Sequence, residues 1–477
     1  MHPPVFLLSL WEMKILLLPI LFLFQADPVA QEIETIVSKS GLGSAQLGIY
    51  IAESRTGRIL FEKDSQKERI LASNTKILTC AAALDRLGPE FLFETALYID
   101  REGEEATLYV SGNGDPNLSA RVFDGDPTKL FRKWASELRR KGIRKIRGVV
   151  LCNSGFDQET RPPSWKKHPQ WHWYAAPYGT FSLNENCVDL LVGPGRPGKA
   201  GTITSIPKTA YITLRNQTKT VTGNTSKPWG FDRKDNQNII RAWGRISTLM
   251  KPKTYWVSIH DPYRFFGTVL LETMKAEGLS VSHSIQINQE ETAKQYTFVD
   301  RHTSPLGKSL QICLTVSQNF YAEMILRTLG KEAEGFGSRD NGIKAVDSFL
   351  QKAGVRQYEQ SDGSGLSRGN RMSARNIGRI FEYMEDHRHG TIFRNSLAVN
   401  GGSSGTLRKR MTAASYRGRV QAKTGHISGV SNLSGYIKAG DGTSYVFSFL
   451  MNHWKKGSPH TLQHKLCMYL IDHRKNR

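Results

Sequence analysis

The chain carries β-strand patterns near both of its ends and helical patterns between them. Residues 45–51 alternate apolar and polar side chains, and residues 58–61 return after a turn. Towards the other end, residues 419–423, 435–437 and 444–450 are again rich in strand-forming side chains. We therefore expect an α/β (α+β) fold in which the two ends of the chain build one antiparallel sheet flanked by helices.

A long segment with different composition and secondary-structure patterns interrupts the helices expected between those strands. Strand, helix and strand patterns follow one another at 106–110, 130–138 and 146–151, and threonine- and lysine-rich short strands come after them. This segment predicts an insertion into the main domain. The expected division is a main domain at 31–92 and 296–477, an inserted α/β domain at 93–192 and 260–295, and a nested β-rich subdomain at 193–259.

The N-terminus has the layout of a secretory signal. Lys14 precedes ten apolar residues, 15–24, and small and polar residues continue to Ala30. Ten apolar residues are too few to span a bilayer comfortably. We expect residues 1–30 to be a signal peptide and the protein to be periplasmic. Met13 is an alternative start, and an uncleaved N-terminal anchor is the alternative to cleavage.

The net charge limits the kinds of partner that the chain can bind, and the cysteines bear on disulfides and metal sites. The formal charge of +22 suits nucleic acid, an anionic membrane face or an anionic wall polymer. No long lysine/arginine run and no nucleic-acid motif occurs, so we expect no nucleic acid as a partner, while peripheral membrane or cell-wall association stays open.

The five cysteines are sparse and odd in number, which argues against a disulfide framework. No Cys/His spacing suggests a metal site.

Ser73 and Lys76 are the first candidates for chemistry. They lie three residues apart before the apolar run 77–84, so a helix would bring their side chains together. A desolvated lysine can take the proton of a serine hydroxyl and activate it as a nucleophile. The spacing alone does not single them out, because Ser164/Lys167 and Ser205/Lys208 share it.

Two later motifs favour the first pair. Ser317-Gln318-Asn319 stands at the start of a predicted helix, and Lys423-Thr424-Gly425 ends a predicted strand. Ser182-Leu183-Asn184 also fits the S-x-N form but lies outside this order. S-x-x-K, S-x-N and K-T-G in this order are the motifs of penicillin-recognising serine acyl-enzymes.

The surroundings of these motifs resemble one family, the type-4 penicillin-binding proteins, which are D-alanyl-D-alanine carboxypeptidase/endopeptidases of low molecular mass. The long insertion between Ser73 and Ser317 is typical of that family. The resemblance implies a transpeptidase/β-lactamase-like main domain. It is carried by 183–188, 362–368, 405–411 and 429–436, and it covers nearly all of residues 40–452.

The resemblance also implies roles. Ser73 would attack the D-Ala-D-Ala or cross-link carbonyl, Lys76 would act as base, and Ser317 would pass a proton to the leaving amine. The substrates would be peptidoglycan stem peptides, β-lactam antibiotics would be inhibitors, and no cofactor would be needed. The implied substrate-binding residues are Asn319, Lys423, Thr424, Gly425, His426 and Arg368, with the backbone N–H groups of Ser73 and His426 as oxyanion hole.

Two positions depart from the family pattern. His426 stands where threonine or serine is usual. A protonated imidazole there would strengthen binding of the substrate carboxylate below pH about 6.5. The alternative interpretation is that histidine is a tolerated variant without a role of its own. Cys152 stands where relatives commonly carry an aspartate that is thought to meet the diaminopimelate amine. Arg368 either faces the stem peptide or makes a structural ion pair. Packing between domains is preferred to a glycan-facing groove for the aromatic residues Trp165, Trp171, Trp173 and Tyr174.

Two rival functions remain at this point. A β-lactamase or related esterase carries the same three motifs, but the long insertion argues against it. A non-catalytic wall-binding or penicillin-sensing protein could share the scaffold. A binding protein does not need all the reactive residues of the three motifs, so catalysis is the expected function. The residues concerned are Ser73, Lys76, Ser317, Asn319 and Lys423.

Overall fold

The computed structural model describes residues 27–226, 228–290 and 293–473. The predicted signal peptide lies outside these residues except for 27–30. The α-helices are α1 Pro28–Ser38, α2 Thr75–Leu87, α3 Lys129–Arg140, α4 Pro262–Ala276, α5 Leu306–Thr315, α6 Asn319–Glu334, α7 Arg339–Lys352, α8 Ala374–Glu385, α9 Gly390–Ser396 and α10 Pro459–Asp472. The strands are β1 Gln46–Glu53, β2 Ile59–Lys63, β3 Glu68–Ile70, β4 Leu92–Glu102, β5 Glu105–Gly112, β6 Lys145–Cys152, β7 Cys187–Gly193, β8 Thr202–Ile206, β9 Thr213–Val221, β10 Gly230–Arg233, β11 Ile239–Ser247, β12 Lys253–Ser258, β13 Ser280–Val281, β14 Ile285–Asn288, β15 Thr297–Pro305, β16 Tyr358–Glu359, β17 Arg371–Ser373, β18 Ala398–Val399, β19 Val420–Ile427, β20 Val430–Lys438 and β21 Ser444–Asn452.

One antiparallel sheet joins the two ends of the chain, as the terminal strand patterns predict. Its strand order is β18-β19-β20-β21-β1-β2. The first strand pairs with the last along its whole length, from Gln46 opposite Asn452 to Glu53 opposite Tyr445. The predicted α/β (α+β) class with an antiparallel sheet flanked by helices is therefore confirmed.

Helices cover both faces of this sheet. Tyr50 and Ala52 of β1 pack into a core formed with α2, α5, α6, α7 and α8. Ile49 and Ile51 point the other way, into a core shared with α1 and α10. Because both faces are buried, the central strands are apolar on both sides. The helix α2 is correspondingly buried from Thr75 to Leu84 and lies in the centre of the larger core.

The inserted domain has its own sheet, in the order β13-β6-β5-β4-β15, with β14 also paired to β6. The helices α3 and α4 contribute Phe131, Trp134 and Phe266 to the core beneath it. The predicted division at residue 296 assigns β15 to the main domain. Its pairing places it here instead, since Thr297 lies opposite Ile99 and Pro305 opposite Leu92 of β4.

The nested β-rich region consists of two three-stranded sheets, β10-β11-β9 and β12-β7-β8. β7 begins at Cys187, before the predicted start of this region at 193, and forms the centre of the second sheet. One face of that sheet is buried through Val188, Leu190 and Val192. Among the residues described, no helix combines the length and the apolar character needed to cross a membrane.

Candidate active site

Ser73 lies in a single 3₁₀ turn, Ala72–Asn74, that leads directly into α2. Ala72 has a left-handed backbone with φ +45°, which is strained for a residue with a side chain. Its carbonyl oxygen accepts a hydrogen bond from Thr75 Oγ1 at 3.0 Å. Gly365 packs so closely that a Cβ added there would lie 1.8 Å from the Ala72 oxygen. The serine turn is thus held in a sparsely populated conformation by its neighbours.

Side chains of β20 tie this turn to the central sheet. Asn432 Nδ2 donates to the carbonyl oxygens of Ile70 at 2.9 Å and Leu71 at 2.8 Å. Asn74 Nδ2 donates to Ser434 Oγ at 2.7 Å. These buried bonds fix the position of Ser73 relative to the strands.

Lys76 lies one helical turn after Ser73 and is fully buried. Its Nζ donates to Ser73 Oγ at 3.1 Å, to Asn319 Oδ1 at 2.6 Å and to the Ser364 carbonyl oxygen at 2.6 Å. Burial lowers the pKa of Lys76 because the charged form is desolvated. The predicted serine–lysine contact is therefore present, with a lysine that gives up its proton more readily than a solvated one.

The S-x-N motif contributes from the start of α6. Asn319 Nδ2 donates to the Tyr174 carbonyl oxygen at 2.7 Å, so the amide is oriented with its oxygen towards Lys76. Ser317 has a left-handed backbone with φ +65°. Strained positions of this kind concentrate at functional sites, where the surrounding structure holds them in place.

The K-T-G motif lies on β19 and reaches the S-x-N motif. Lys423 Nζ donates to Ser317 Oγ at 2.7 Å and to the Thr424 carbonyl oxygen at 2.7 Å. Lys423 is fully buried, and burial, followed by the positive charge of Lys76, holds its pKa well below the ordinary value. Gly425 allows β19 to lie against the serine turn, since a Cβ there would be 2.7 Å from the Leu71 carbonyl oxygen.

A cleft of about 570 Å³ opens above these residues. Thr424 Oγ1 donates to Thr406 Oγ1 at 3.0 Å on its wall. Among the residues that the structure describes, those that line the cleft include no carboxylate side chain, so no lining side chain repels an anionic group. The residues that form the cleft are Ser73, His168, Trp173, Tyr174, Val316, Ser317, Asn319, Gly365, Leu366, Thr406, Thr424, His426, Ile427 and Ser428.

The remaining predicted residues take different positions. His426 is exposed and lines the cleft. Arg368 is also exposed, and its Nη1 donates to the Ser428 carbonyl oxygen at 2.8 Å at the edge of the cleft. Cys152 is buried in a small core with Val150 and Ala293 and is not part of the cleft wall.

The aromatic residues divide between packing and the cleft. Trp165 is buried, and its Nε1 donates to Asp362 Oδ2 at 2.8 Å. Trp171 packs edge-on against Phe231. Trp173 and Tyr174 line the cleft instead. The packing interpretation therefore fits Trp165 and Trp171 but not the other two.

The competing serine–lysine pairs lie at the surface. Ser164 and Lys167 are exposed, and so is Lys208. Asn184 of the second S-x-N sequence donates to Asp189 Oδ1 at 2.9 Å within the inserted domain. Only the pair at Ser73 meets the other two motifs.

Sequence reasoning missed Glu323 as part of the site. This fully buried carboxylate accepts hydrogen bonds from the backbone N–H groups of Gly363 at 3.0 Å and Ser364 at 2.9 Å. Burial raises its pKa to about 8. By holding this loop, Glu323 positions the Ser364 carbonyl that contacts Lys76. Its place one helical turn after Asn319, as the one acid in an apolar run, was the available signal.

Comparison with known proteins finds relatives along nearly the whole chain. A D-alanyl-D-alanine carboxypeptidase of Actinomadura sp. (strain R39) is 28% identical over 462 residues, covering 93% of this chain and 84% of that protein. The D-alanyl-D-alanine carboxypeptidase DacB of Haemophilus influenzae is 26% identical over 433 residues, covering 87% and 86%. The crystal structure of penicillin binding protein 4 (dacB) from Haemophilus influenzae has the same fold, with a TM-score of 0.77 at 21% identity, covering 92% of this chain and 99% of that one.

These similarities confirm the predicted resemblance to type-4 penicillin-binding proteins. The model of the family described as D-Ala-D-Ala carboxypeptidase 3 (S13) matches residues 29–470, nearly the whole described chain. The chain belongs to the D-Ala-D-Ala carboxypeptidase 3 (S13) family.

Proposed function

We propose that the protein is a serine-type D-Ala-D-Ala carboxypeptidase and/or endopeptidase that hydrolyses peptidoglycan stem peptides or cross-links through an acyl-enzyme. The observation that carries this proposal is the hydrogen bond between Ser73 Oγ and the Nζ of a fully buried lysine, Lys76. Family membership supports the reaction class. The long inserted domain and the carboxylate-free cleft support an anionic peptide as substrate.

Acylation begins when the neutral Lys76 amine takes the proton of Ser73 Oγ. The oxygen then attacks the carbonyl carbon of the terminal or cross-linking peptide bond. Charge develops on the carbonyl oxygen, where the backbone N–H groups of Ser73 and His426 would stabilise it. The C–N bond breaks as Ser317 Oγ gives its proton to the leaving amine, and the proton that Lys76 took from Ser73 replaces it. Lys423 Nζ donates to that hydroxyl and holds it in place.

Asn319 holds the base in position. Its oxygen accepts from Lys76 and keeps the amine beside Ser73. Thr424 would hydrogen-bond the substrate carboxylate, and the positive potential of Lys423 favours the same group. Water then attacks the ester, which releases the shortened peptide and restores Ser73. β-Lactams would acylate the same oxygen and act as inhibitors.

The cellular location forms part of the proposal. The basic residue and apolar segment at 14–24 support secretion to the periplasm. The formal charge of +22 supports association with an anionic wall polymer or membrane face. Fractionation of cells that express the full chain, with and without residues 1–26, tests this location; equal cytoplasmic retention of both forms contradicts it.

The decisive experiment combines labelling with turnover. Wild-type protein should take up a fluorescent penicillin covalently and release D-alanine from a pentapeptide that ends in D-Ala-D-Ala. Ser73→Ala should do neither, while its melting temperature stays close to that of the wild type. Ser164→Ala, from the competing pair, is the matched control and should behave as wild type. Absence of label on the wild type would refute the proposal.

A further inference from the structure

A pocket of about 530 Å³ lies within the inserted domain and its nested β-rich region. All of its lining residues belong to these two parts of the chain, from Asn153 to Gln289. Among the residues described, none lines both this pocket and the cleft that contains Ser73. The pocket is therefore a separate space, and the acylation at Ser73 leaves its residues unused.

Arg233 brings a buried positive charge to this pocket. It is only 2% exposed, and its guanidinium donates to the carbonyl oxygens of Ser258 at 2.8 Å and Gln170 at 3.0 Å. Burial lowers the pKa of Arg233 to about 10, because the charged form is desolvated. Its hydrogen bonds within the described residues all go to backbone carbonyl oxygens, which are dipoles and not counter-ions. A buried charge without a counter-ion is unfavourable, so an anionic ligand would stabilise it.

Arg161 adds a second guanidinium, which has an unused donor. Its Nη2 donates to the carbonyl oxygens of His168 at 3.1 Å and Trp165 at 3.5 Å. Its Nη1 is buried and has no hydrogen-bond partner among the residues described. Burial lowers the pKa of Arg161, as it does that of Arg233, and the charge of Arg161 adds to the effect on Arg233. A ligand oxyanion would satisfy the free donor and offset the repulsion between the two cations.

The neighbouring carboxylates have other partners. Asp261 lines the pocket, but its Oδ1 accepts from the backbone N–H of Arg264 at 3.1 Å and its Oδ2 lies 3.4 Å from Arg264 Nε. Asp235 lies outside the lining, and its Oδ1 accepts from the backbone N–H of Gln170 at 3.2 Å. In the part of the chain that the structure describes, neither forms an ion pair with the two lining arginines. The pocket therefore keeps an excess of positive charge.

The rest of the lining suits a sugar better than an apolar ligand. Side-chain amides present a donor and an acceptor together, which match the hydroxyl and acetamido groups of a saccharide. Ile287 is 43% exposed and offers apolar surface to the C–H face of a sugar ring. A volume of about 530 Å³ lies in the range of small-molecule sites. The amide side chains of the lining are those of Asn153, Gln158, Gln170, Asn236 and Gln289.

We propose that this pocket binds an anionic saccharide, with its oxyanion at Arg161 and Arg233 and its ring among the amides. Guanidinium groups bind carboxylate and phosphate oxygens with the same forked geometry. The anion is therefore the carboxylate of a sugar acid or the phosphate of a sugar phosphate. Because the pocket lies outside the cleft, its ligand would hold the inserted domain whether or not Ser73 is acylated. This binding site goes beyond the proposed function and does not depend on it.

The test compares three sugars that differ in charge. N-acetylmuramic acid carries a carboxylate, N-acetylglucosamine 6-phosphate carries a phosphate, and N-acetylglucosamine is the neutral control. Each is titrated into the full chain at low ionic strength, and binding is followed by calorimetry. We expect at least one anionic sugar to bind at least tenfold more tightly than the neutral sugar, and the tighter of the two identifies the anion. Equal affinities for all three sugars, or binding of none, would overturn the inference.

Variants assign the preference to the pocket. Arg161→Gln removes the guanidinium with the unused donor, and Gln158→Glu adds a carboxylate at an exposed lining position. Each should weaken binding of the preferred sugar at least tenfold. Arg215→Gln and Gln217→Glu make the same two changes at exposed positions of β9 outside the pocket and should bind as the wild type does. Unchanged affinity in a folded Arg161→Gln protein, or in Gln158→Glu if Arg161→Gln does not fold, would overturn the inference.

A last measurement separates the pocket from the cleft. Protein acylated at Ser73 by penicillin is titrated with the preferred sugar. Undiminished binding is expected, because the pocket and the cleft share no lining residue within the described chain. Loss of binding on acylation would place the sugar in the cleft and overturn the inference. If the wild type takes up no penicillin, the proposed function fails, and the variants alone decide the inference.

Discussion

The hydrogen bond between Asn319 and Lys76 allows a sharp test of the lysine as base. Asn319→Asp replaces the amide by a carboxylate of nearly the same shape, 2.6 Å from a fully buried Nζ. At an effective dielectric constant of 20, two unit charges at this separation attract by about 6 kcal/mol. Desolvation of the new carboxylate and its repulsion from the Tyr174 carbonyl oxygen offset most of this gain.

A net third of that attraction, about 2 kcal/mol, already favours the protonated form of Lys76 by a factor of about 30 and so raises its pKa. Acylation requires the neutral amine, so a raised pKa moves the rate profile to more alkaline pH. In the pH range where the acylation rate still rises with pH, the acylation rate of Asn319→Asp at a fixed pH should be about 30-fold below that of the wild type. At pH values above the new pKa the rate should recover most of the wild-type value.

The assay is the rate of covalent labelling by a fluorescent penicillin, measured in single turnover between pH 6 and pH 10. Asn341→Asp, at the start of α7 and outside the cleft, is the matched control and should leave the profile unchanged. A uniform loss of rate at every pH would show that Asn319 acts through structure alone. An unshifted profile would contradict the assignment of Lys76 as base.

Two further predictions concern groups that hold the site together. Gly365→Ala places a methyl group against the Ala72 carbonyl oxygen. We expect it to lower the melting temperature by several degrees and the rate of acylation at least tenfold. Gly354→Ala, with φ +71° but open space around it, should carry only the backbone cost of roughly 1 kcal/mol and keep normal acylation. Glu323 has a folded-state pKa of about 8, above its ordinary 4.5, so its contribution to stability is present below pH 4.5 and is lost as pH rises to 8. Glu323→Gln should remove this slope; equal melting-temperature profiles of both proteins between pH 5 and pH 9 would disprove it.

The sequence predicts the central sheet and the contacts among the three motifs because both depend on side-chain identity. The spacing of Ser73 and Lys76 places them on one helical face. The order of the three motifs groups them with residues 317–319 and 423–425, and in the structure Asn319 contacts Lys76 while Lys423 contacts Ser317. The strand patterns near the two ends similarly predict β1 beside β21. In each case the residues whose pattern in the sequence predicts the contact are also the residues that form it.

Other contacts depend on backbone groups or on long-range register, and these were not predictable. The Lys76 amine is held by the Ser364 carbonyl, and the Asn319 amide by the Tyr174 carbonyl. A carbonyl oxygen is common to every residue, so no sequence pattern marks it. β15 likewise has no pattern that assigns it to β4 rather than to the main domain, because strand pairing is decided by the packing of the whole sheet.

The arrangement of charges links substrate binding to activation of the base. Among the residues described, neither Glu323 nor Asp362 forms an ion pair with Lys76 or Lys423, because both carboxylates accept from backbone N–H groups of residues 363–367. Two buried lysines without a contacting carboxylate destabilise each other's protonated form. In the proposed mechanism, a substrate carboxylate at Thr424 favours the proton on Lys423. The charge fixed there then lowers the proton affinity of Lys76, so the base is neutral when the substrate is bound.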